Sequence, residues 1–144
     1  RLDSFCRAFI KGDTEFIEAN FQAYLRQTIS IRDTYVKKDK KENFYHGILL
    51  GMLSHMEEWV ILSNAESGDG YSDILVEVDE ESIGIVIEVK YGESENLELA
   101  CKNAFKQIEE KRYAEKLIEN GMKTILKYAV ACYKKRCMVI FEKN

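Results

Sequence analysis

Proline is absent from the 144 residues, so turns and helix ends lose their usual punctuation. Boundaries must be read from glycine, asparagine, aspartate and hydrophobic periodicity. No stretch approaches the roughly 20 uninterrupted apolar residues that cross a bilayer, and no charged-then-apolar leader opens the chain. No membrane partner is expected, and a cytoplasmic location is. An excess of positive charge is missing too: 21 Lys and Arg stand against 25 Asp and Glu, for a formal net charge of −4. This excludes a protein that holds nucleic acid mainly by general positive charge. It leaves open metal-dependent chemistry on phosphodiesters, because carboxylates that bind cations are themselves acidic. The four cysteines, Cys6, Cys101, Cys132 and Cys137, lack the paired CxxC spacing of a zinc site and read as reduced thiols. Internal repeats and low-complexity linkers are also lacking. Arg1 in place of Met leads us to expect a piece of a longer protein.

What is present is a chain of one-domain size, with 46% apolar, 32% charged and 11% aromatic residues, which predicts one globular core. After a short opening helix or turn, Asp13-Thr14 can cap a helix carrying Phe16, Ile17, Phe21, Tyr24 and Leu25 and running to about Ser30. Residues 34–41 are polar and basic. A second helix is expected from near Glu42, with helical spacing from Asn43 to Met56 through Phe44, Ile48, Leu49, Met52 and Leu53. From Glu58 the pattern turns to strands, at residues 59–62, 71–78 and 83–90, with a Ser67-Gly68-Asp69-Gly70 turn after the first and the acidic turn Asp79-Glu80-Glu81-Ser82 after the second. Leu97, Cys101, Ala104, Phe105, Ile108, Tyr113, Leu117 and Ile118 predict one long helix that stops at Asn120-Gly121. Strands at 124–132 and 137–141 close the chain. The order predicts an α/β (mixed α+β) fold, a small mixed sheet flanked by helices, with the long helix permitting a parallel crossover and hairpins supplying antiparallel edges.

The hairpin of the second and third strands has a register that can be counted. A two-residue turn at Glu80-Glu81 and a four-residue loop at residues 79–82 both pair Val78 with Ile83, and counting back pairs Asp73 with Glu88. Their carboxylates then share a face, with Cβ atoms roughly 4.5–5.5 Å apart, where like charges destabilise a sheet. A divalent cation offsets that repulsion, and oxygen ligands suit Mg²⁺ or Mn²⁺. Lys90, two residues past Glu88, projects from the same face. An ordinary Glu88–Lys90 ion pair at a sheet edge is the alternative reading of this spacing. The charges, however, end an otherwise wholly apolar run, Ile85-Val86-Ile87.

An acidic residue on one strand and an acidic-x-Lys triplet on the next, here Asp73 and Glu88-Val89-Lys90, resembles the PD-(D/E)XK nuclease superfamily. Glu42-Asn43-Phe44-Tyr45-His46-Gly47-Ile48-Leu49-Leu50-Gly51, Glu66 to Ile74, Gln107-Ile108 and Lys111-Arg112-Tyr113 extend the resemblance to one bacterial branch, whose nuclease-like domain usually follows an AAA-ATPase-like domain. The resemblance spans about residues 34–142. It implies a restriction-endonuclease-like core of a helix, three antiparallel strands, a helix and a further strand. It also implies that Asp73 and Glu88 bind Mg²⁺ or Mn²⁺, that Glu42 adds a ligand directly or through water, that Lys90 assists the attacking water, and that Gln107 contacts water or substrate. Ser72 stands where the family pattern has proline. On this reading residues 1–33 are an N-terminal helical segment, a linker from an upstream ATPase-like domain, and 34–144 the nuclease-like domain.

Other residues have plainer readings. His46, one turn after Glu42, is expected to be a partly buried hydrogen-bonding histidine and Tyr113 a packing residue. Lys37-Lys38, Lys40-Lys41 and the hairpin tip Lys134-Lys135-Arg136 are expected on solvated loops. Gly68 and Gly70 lack the lysine and following helix of a phosphate-binding loop. The expected function is metal-dependent phosphodiester hydrolysis, in DNA ahead of RNA. The alternatives are a catalytically silent nuclease-fold module that binds nucleic acid or protein, and a structural dimerisation domain.

Overall fold

The computed structural model describes residues 1–28, 38–66 and 71–143. Three helices, α1 (Leu2–Lys11), α2 (Thr14–Thr28) and α3 (Lys38–Leu53), precede the strands β1 (Val60–Glu66), β2 (Tyr71–Val78) and β3 (Ile83–Tyr91). Helices α4 (Glu98–Lys111) and α5 (Tyr113–Glu119) then lead to β4 (Thr124–Tyr133) and β5 (Arg136–Lys143). The sheet runs β1-β2-β3-β4-β5. Its first three strands are antiparallel, β3 and β4 are parallel across the α4–α5 connection, and β5 returns antiparallel. This is the expected mixed α+β architecture, consistent with a restriction-endonuclease-like core.

The alternation of side chains across each strand divides the interior in two. Ile74, Val76, Ile85, Ile87, Tyr128 and Val130 face α1, α2 and α3 in the larger core. Leu75, Val86 and Ile125 meet Ile108 and Leu117 of α4 and α5 on the opposite face. Beside them Ala129 and Ala131 lie under Cys101 and Ala104, where small residues let α4 approach β4 closely. Strands β3 and β4 are covered on both sides, which is why their sequences are nearly continuous apolar runs. The β5 edge is closed by α2: the Cys137 and Val139 N–H groups donate to Gln22 Oε1 and Glu18 Oε2, at 3.0 and 2.8 Å. Edge donors satisfied in this way do not recruit another strand.

Several expectations are met residue for residue. Asp13 caps α2, its Oδ1 accepting the Phe16 N–H at 3.2 Å, and the register pairs Val78 with Ile83 and Asp73 with Glu88. The acidic turn itself is a short 3₁₀ turn, Asp79–Glu81, with Ser82 left-handed at φ 53°. Three expectations need correction. Helix α3 begins at Lys38, inside the stretch read as a polar loop, because Lys and Glu are good helix formers without any apolar stripe. It ends at Leu53, with Ser54 to Met56 forming a tighter turn through the His55 N–H to Met52 O and Met56 N–H to Leu53 O bonds. The single long helix is two, broken where Arg112 takes φ 57°. Residues 29–37 and 67–70 lie outside the description, and with them Lys37, Gly68 and Gly70.

All four cysteines are free and buried. Burial pushes the Cys6 and Cys101 thiols up to about 11, Cys137 to about 12, and Cys132 well above its ordinary 9.0. Folding therefore favours the neutral thiols. Their contribution to stability is complete below pH 9.0 and is lost as the pH climbs from there through the folded values. The urea midpoint should fall between about pH 8 and about pH 10.5 in the wild type, and fall less in a Cys132→Ala, Cys137→Ala variant. Equal falls would show that the thiols are not the cause.

Candidate metal and phosphodiester site

The β2–β3 ladder ends at the Asp73–Glu88 pair, although β2 extends back to Tyr71 and β3 forward to Tyr91. Beyond this pair, among the described residues, β3 ladders with β4 alone, through Val89–Val130, Lys90–Ala131 and Tyr91–Cys132. The strands thus separate at the charged end of β3. Asp73 and Glu88 project on the α4 side, in step with Leu75 and Val86 two residues away, and each is only 1% exposed. Lys90, on the same face and nearer the opening, is 9% exposed.

Glu42 reaches the opening from α3. Its Oε2 accepts the N–H of Tyr91 at 3.1 Å, the bond continuing the sheet where the β2 ladder has stopped. The buried stripe of α3 explains how a carboxylate arrives there: Glu42, Tyr45, His46, Leu49, Met52 and Leu53 are buried together at three- and four-residue spacing. This face is rotated from the one read in the sequence, since Phe44 is 38% exposed while Tyr45 is buried. Tyr45 stacks on Tyr91 with ring centroids 5.7 Å apart, and Lys41 Nζ lies 4.6 Å from the Tyr91 centroid. His46 is buried, with Nε2 and Ser63 Oγ sharing a 2.6 Å hydrogen bond. That is the expected structural role.

A cavity of about 360 Å³ opens against this end of the sheet, bounded by Glu42, Lys90, Asn103, Lys106, Gln107 and Glu110. The last four recur at i, i+3, i+4 and i+7 along α4 and form a polar stripe opposite its buried Cys101, Ala104 and Ile108. Periodicity alone carried that signal, and only Gln107 was singled out from the sequence. Gln107 Oε1 is shut from solvent and accepts no hydrogen bond among the described residues.

Tyr113 has a role that the packing reading misses. Its hydroxyl donates to Asp73 Oδ2 at 2.6 Å, the length of a charge-assisted hydrogen bond. Lys127, buried beneath α4, was also not anticipated. It donates to Glu109 Oε1 at 2.6 Å, a buried ammonium meeting an exposed carboxylate.

The donor set suits a hard divalent cation. Asp73 and Glu88 present carboxylate oxygens from directly opposed positions, and the shielded Gln107 oxygen is chemically alike. Among the described residues no three His, Cys, Asp or Glu side chains are drawn into one cluster. The arrangement is instead a carboxylate pair with Glu42 tied to the β3 backbone beside it. No helix among the described residues is long and apolar enough to cross a membrane.

No curated protein and no solved structure matches the chain. A family model described as the PD-(D/E)XK nuclease superfamily matches residues 40–142, from the first turns of α3 to the end of β5. The chain belongs to the PD-(D/E)XK nuclease superfamily.

Proposed function

We propose that the domain is a metal-dependent nuclease that hydrolyses phosphodiester bonds, with DNA as substrate ahead of RNA. One observation supports this above the others: the Asp73–Glu88 pair lies on the face that carries Lys90, where β2 and β3 part and Glu42, Lys90 and Gln107 border one cavity. Asp73 and Glu88 would hold Mg²⁺ or Mn²⁺, with Glu42 contributing directly or through water. The cation, when bound, supplies positive charge to the phosphate and acidifies water. Lys90 orients the attacking water or stabilises charge on a nonbridging phosphate oxygen. Gln107 accepts a hydrogen bond from water or substrate, and Lys106 faces the same space with a second positive charge. Placement after an AAA-ATPase-like domain and a cytoplasmic location belong to the same proposal.

The test is cleavage of single- and double-stranded DNA and RNA with Mg²⁺ and with Mn²⁺, comparing wild type with Lys90→Ala. Metal-dependent cleavage by the wild type supports the reading. Absence of cleavage on every substrate would replace it with a binding module of nuclease fold. Metal binding has its own readout. Two carboxylates held together destabilise the fold, and a cation bound to the native state stabilises it by mass action. Mg²⁺ or Mn²⁺ should therefore raise the melting temperature of the wild type more than that of Asp73→Asn. Equal rises would place the cation elsewhere.

A further inference from the structure

We infer that Tyr113 is a positioning residue for the metal site, fixing the Asp73 carboxylate through its hydroxyl, and that the break between α4 and α5 exists to aim it. This rests on the proposed metal-binding role of Asp73. The contact is the 2.6 Å bond from the Tyr113 hydroxyl to Asp73 Oδ2, between residues 40 apart in the chain. Such a short bond between a phenol hydroxyl and a carboxyl oxygen is directional. A carboxylate turns freely about its last bond unless one oxygen is engaged. With Oδ2 held by the phenol, that rotation stops, and Oδ1 becomes the ligand oxygen. Asp73 is 1% exposed, so solvent does not compete for this task.

The backbone supplies an independent observation. Gln107 and Tyr113 are six residues apart, and at roughly 100° per residue an unbroken helix would set them roughly 120° apart around its axis. Both nevertheless serve the same end of the sheet, one bordering the cavity and the other on Asp73. Arg112 makes this possible by taking φ 57° and ψ 36° as the last cap of α4 and the first of α5. That left-handed conformation is disfavoured for a residue with a side chain, and neither glycine nor asparagine is used to ease it. Strain of this kind persists where surrounding contacts fix it, commonly beside functional groups. Groups that orient metal ligands from behind typically change metal affinity by roughly 10- to 100-fold when removed.

Tyr113→Phe removes the hydroxyl and keeps the ring that packs beside Leu75, Val86 and Leu117. Mn²⁺ alone is the probe, and the readout is the concentration that gives half of the metal-induced rise in melting temperature. The expected result is a metal-free melting temperature lowered by no more than the loss of one buried hydrogen bond, with half-saturation at roughly tenfold or more higher Mn²⁺. In an Asp73→Asn background the same substitution should leave the Mn²⁺ response unchanged, because the group it orients is already altered. Equal half-saturation in wild type and Tyr113→Phe would overturn the inference. So would a large loss of metal-free stability with unchanged Mn²⁺ affinity, which would make the tyrosine a packing residue. A wild type that takes up no Mn²⁺ would remove the metal reading itself, an outcome visible before any variant is compared.

Discussion

Replacing Lys90 by alanine should lower the proposed metal-dependent cleavage by roughly 10² or more while leaving the metal-induced rise in melting temperature in place. The magnitude follows from where the ammonium stands. Lys90 is 9% exposed on the face shared with Asp73 and Glu88, at the point where β3 has lost β2 and borders the cavity. Charge placed in a largely water-excluded site acts through a lower effective dielectric than at the surface, so losing it costs far more than losing an exposed lysine. The side chain is largely buried, and alanine removes both its aliphatic stem and its charge. Lys90→Met separates the two, keeping most of the stem, and should lose cleavage to the same extent while folding like the wild type. Glu88→Gln differs in kind: it removes the negative charge of a proposed metal ligand and should reduce both cleavage and metal-induced stabilisation. Equal cleavage rates for wild type, Lys90→Ala and Lys90→Met would reject the assigned role.

The parts of this site that were legible in the sequence are those fixed by strand period. A two-residue alternation and a short acidic turn determine which residues of β2 and β3 oppose one another, so the Asp73–Glu88 pair and the position of Lys90 follow by counting. Helix faces were harder to read. In α3 an apolar stripe through Phe44 looks better than one through Glu42 and His46, yet the structure buries the polar pair because the Tyr91 N–H and the Ser63 hydroxyl are there to meet them. No local propensity reports a partner 49 residues away. The break at Arg112 was invisible for a related reason. No glycine or proline marks it, and the bond from Tyr113 to Asp73 that accompanies it joins residues 40 apart in the chain. Asn103, Lys106 and Glu110 were legible in principle, as a polar stripe on α4, but a polar stripe names no ligand until a cavity is seen beside it.

Phe9→Ala should destabilise the domain by about 3–5 kcal/mol, the range for truncating a fully buried aromatic, against a total stability of about 5–15 kcal/mol for a typical domain. The sequence set residues 1–33 apart as a helical segment; in the structure Phe9 of α1 is fully buried in the same core as β3 and β4. Its ring meets Phe5 and Tyr128 edge to face, at centroid distances of 5.6 and 4.9 Å, and Tyr128 in turn stacks on Phe141 at 5.0 Å. The Phe9 carbonyl accepts the Tyr128 hydroxyl at 2.5 Å. Gly12 then closes α1 in the left-handed conformation, φ 72°, directly against the Phe141 ring, where a side chain would collide. Helix α1 is thereby fastened to β4 and β5 by an aromatic chain, a backbone bond and a glycine cap. Tyr128→Phe keeps the rings and deletes only the hydroxyl, so it should cost about 1 kcal/mol, near the net value of one hydrogen bond. Urea denaturation of the two variants divides the anchor into its packing and hydrogen-bonding parts. If Phe9→Ala were no more destabilising than Tyr128→Phe, the aromatic chain would not be what holds α1 to the sheet.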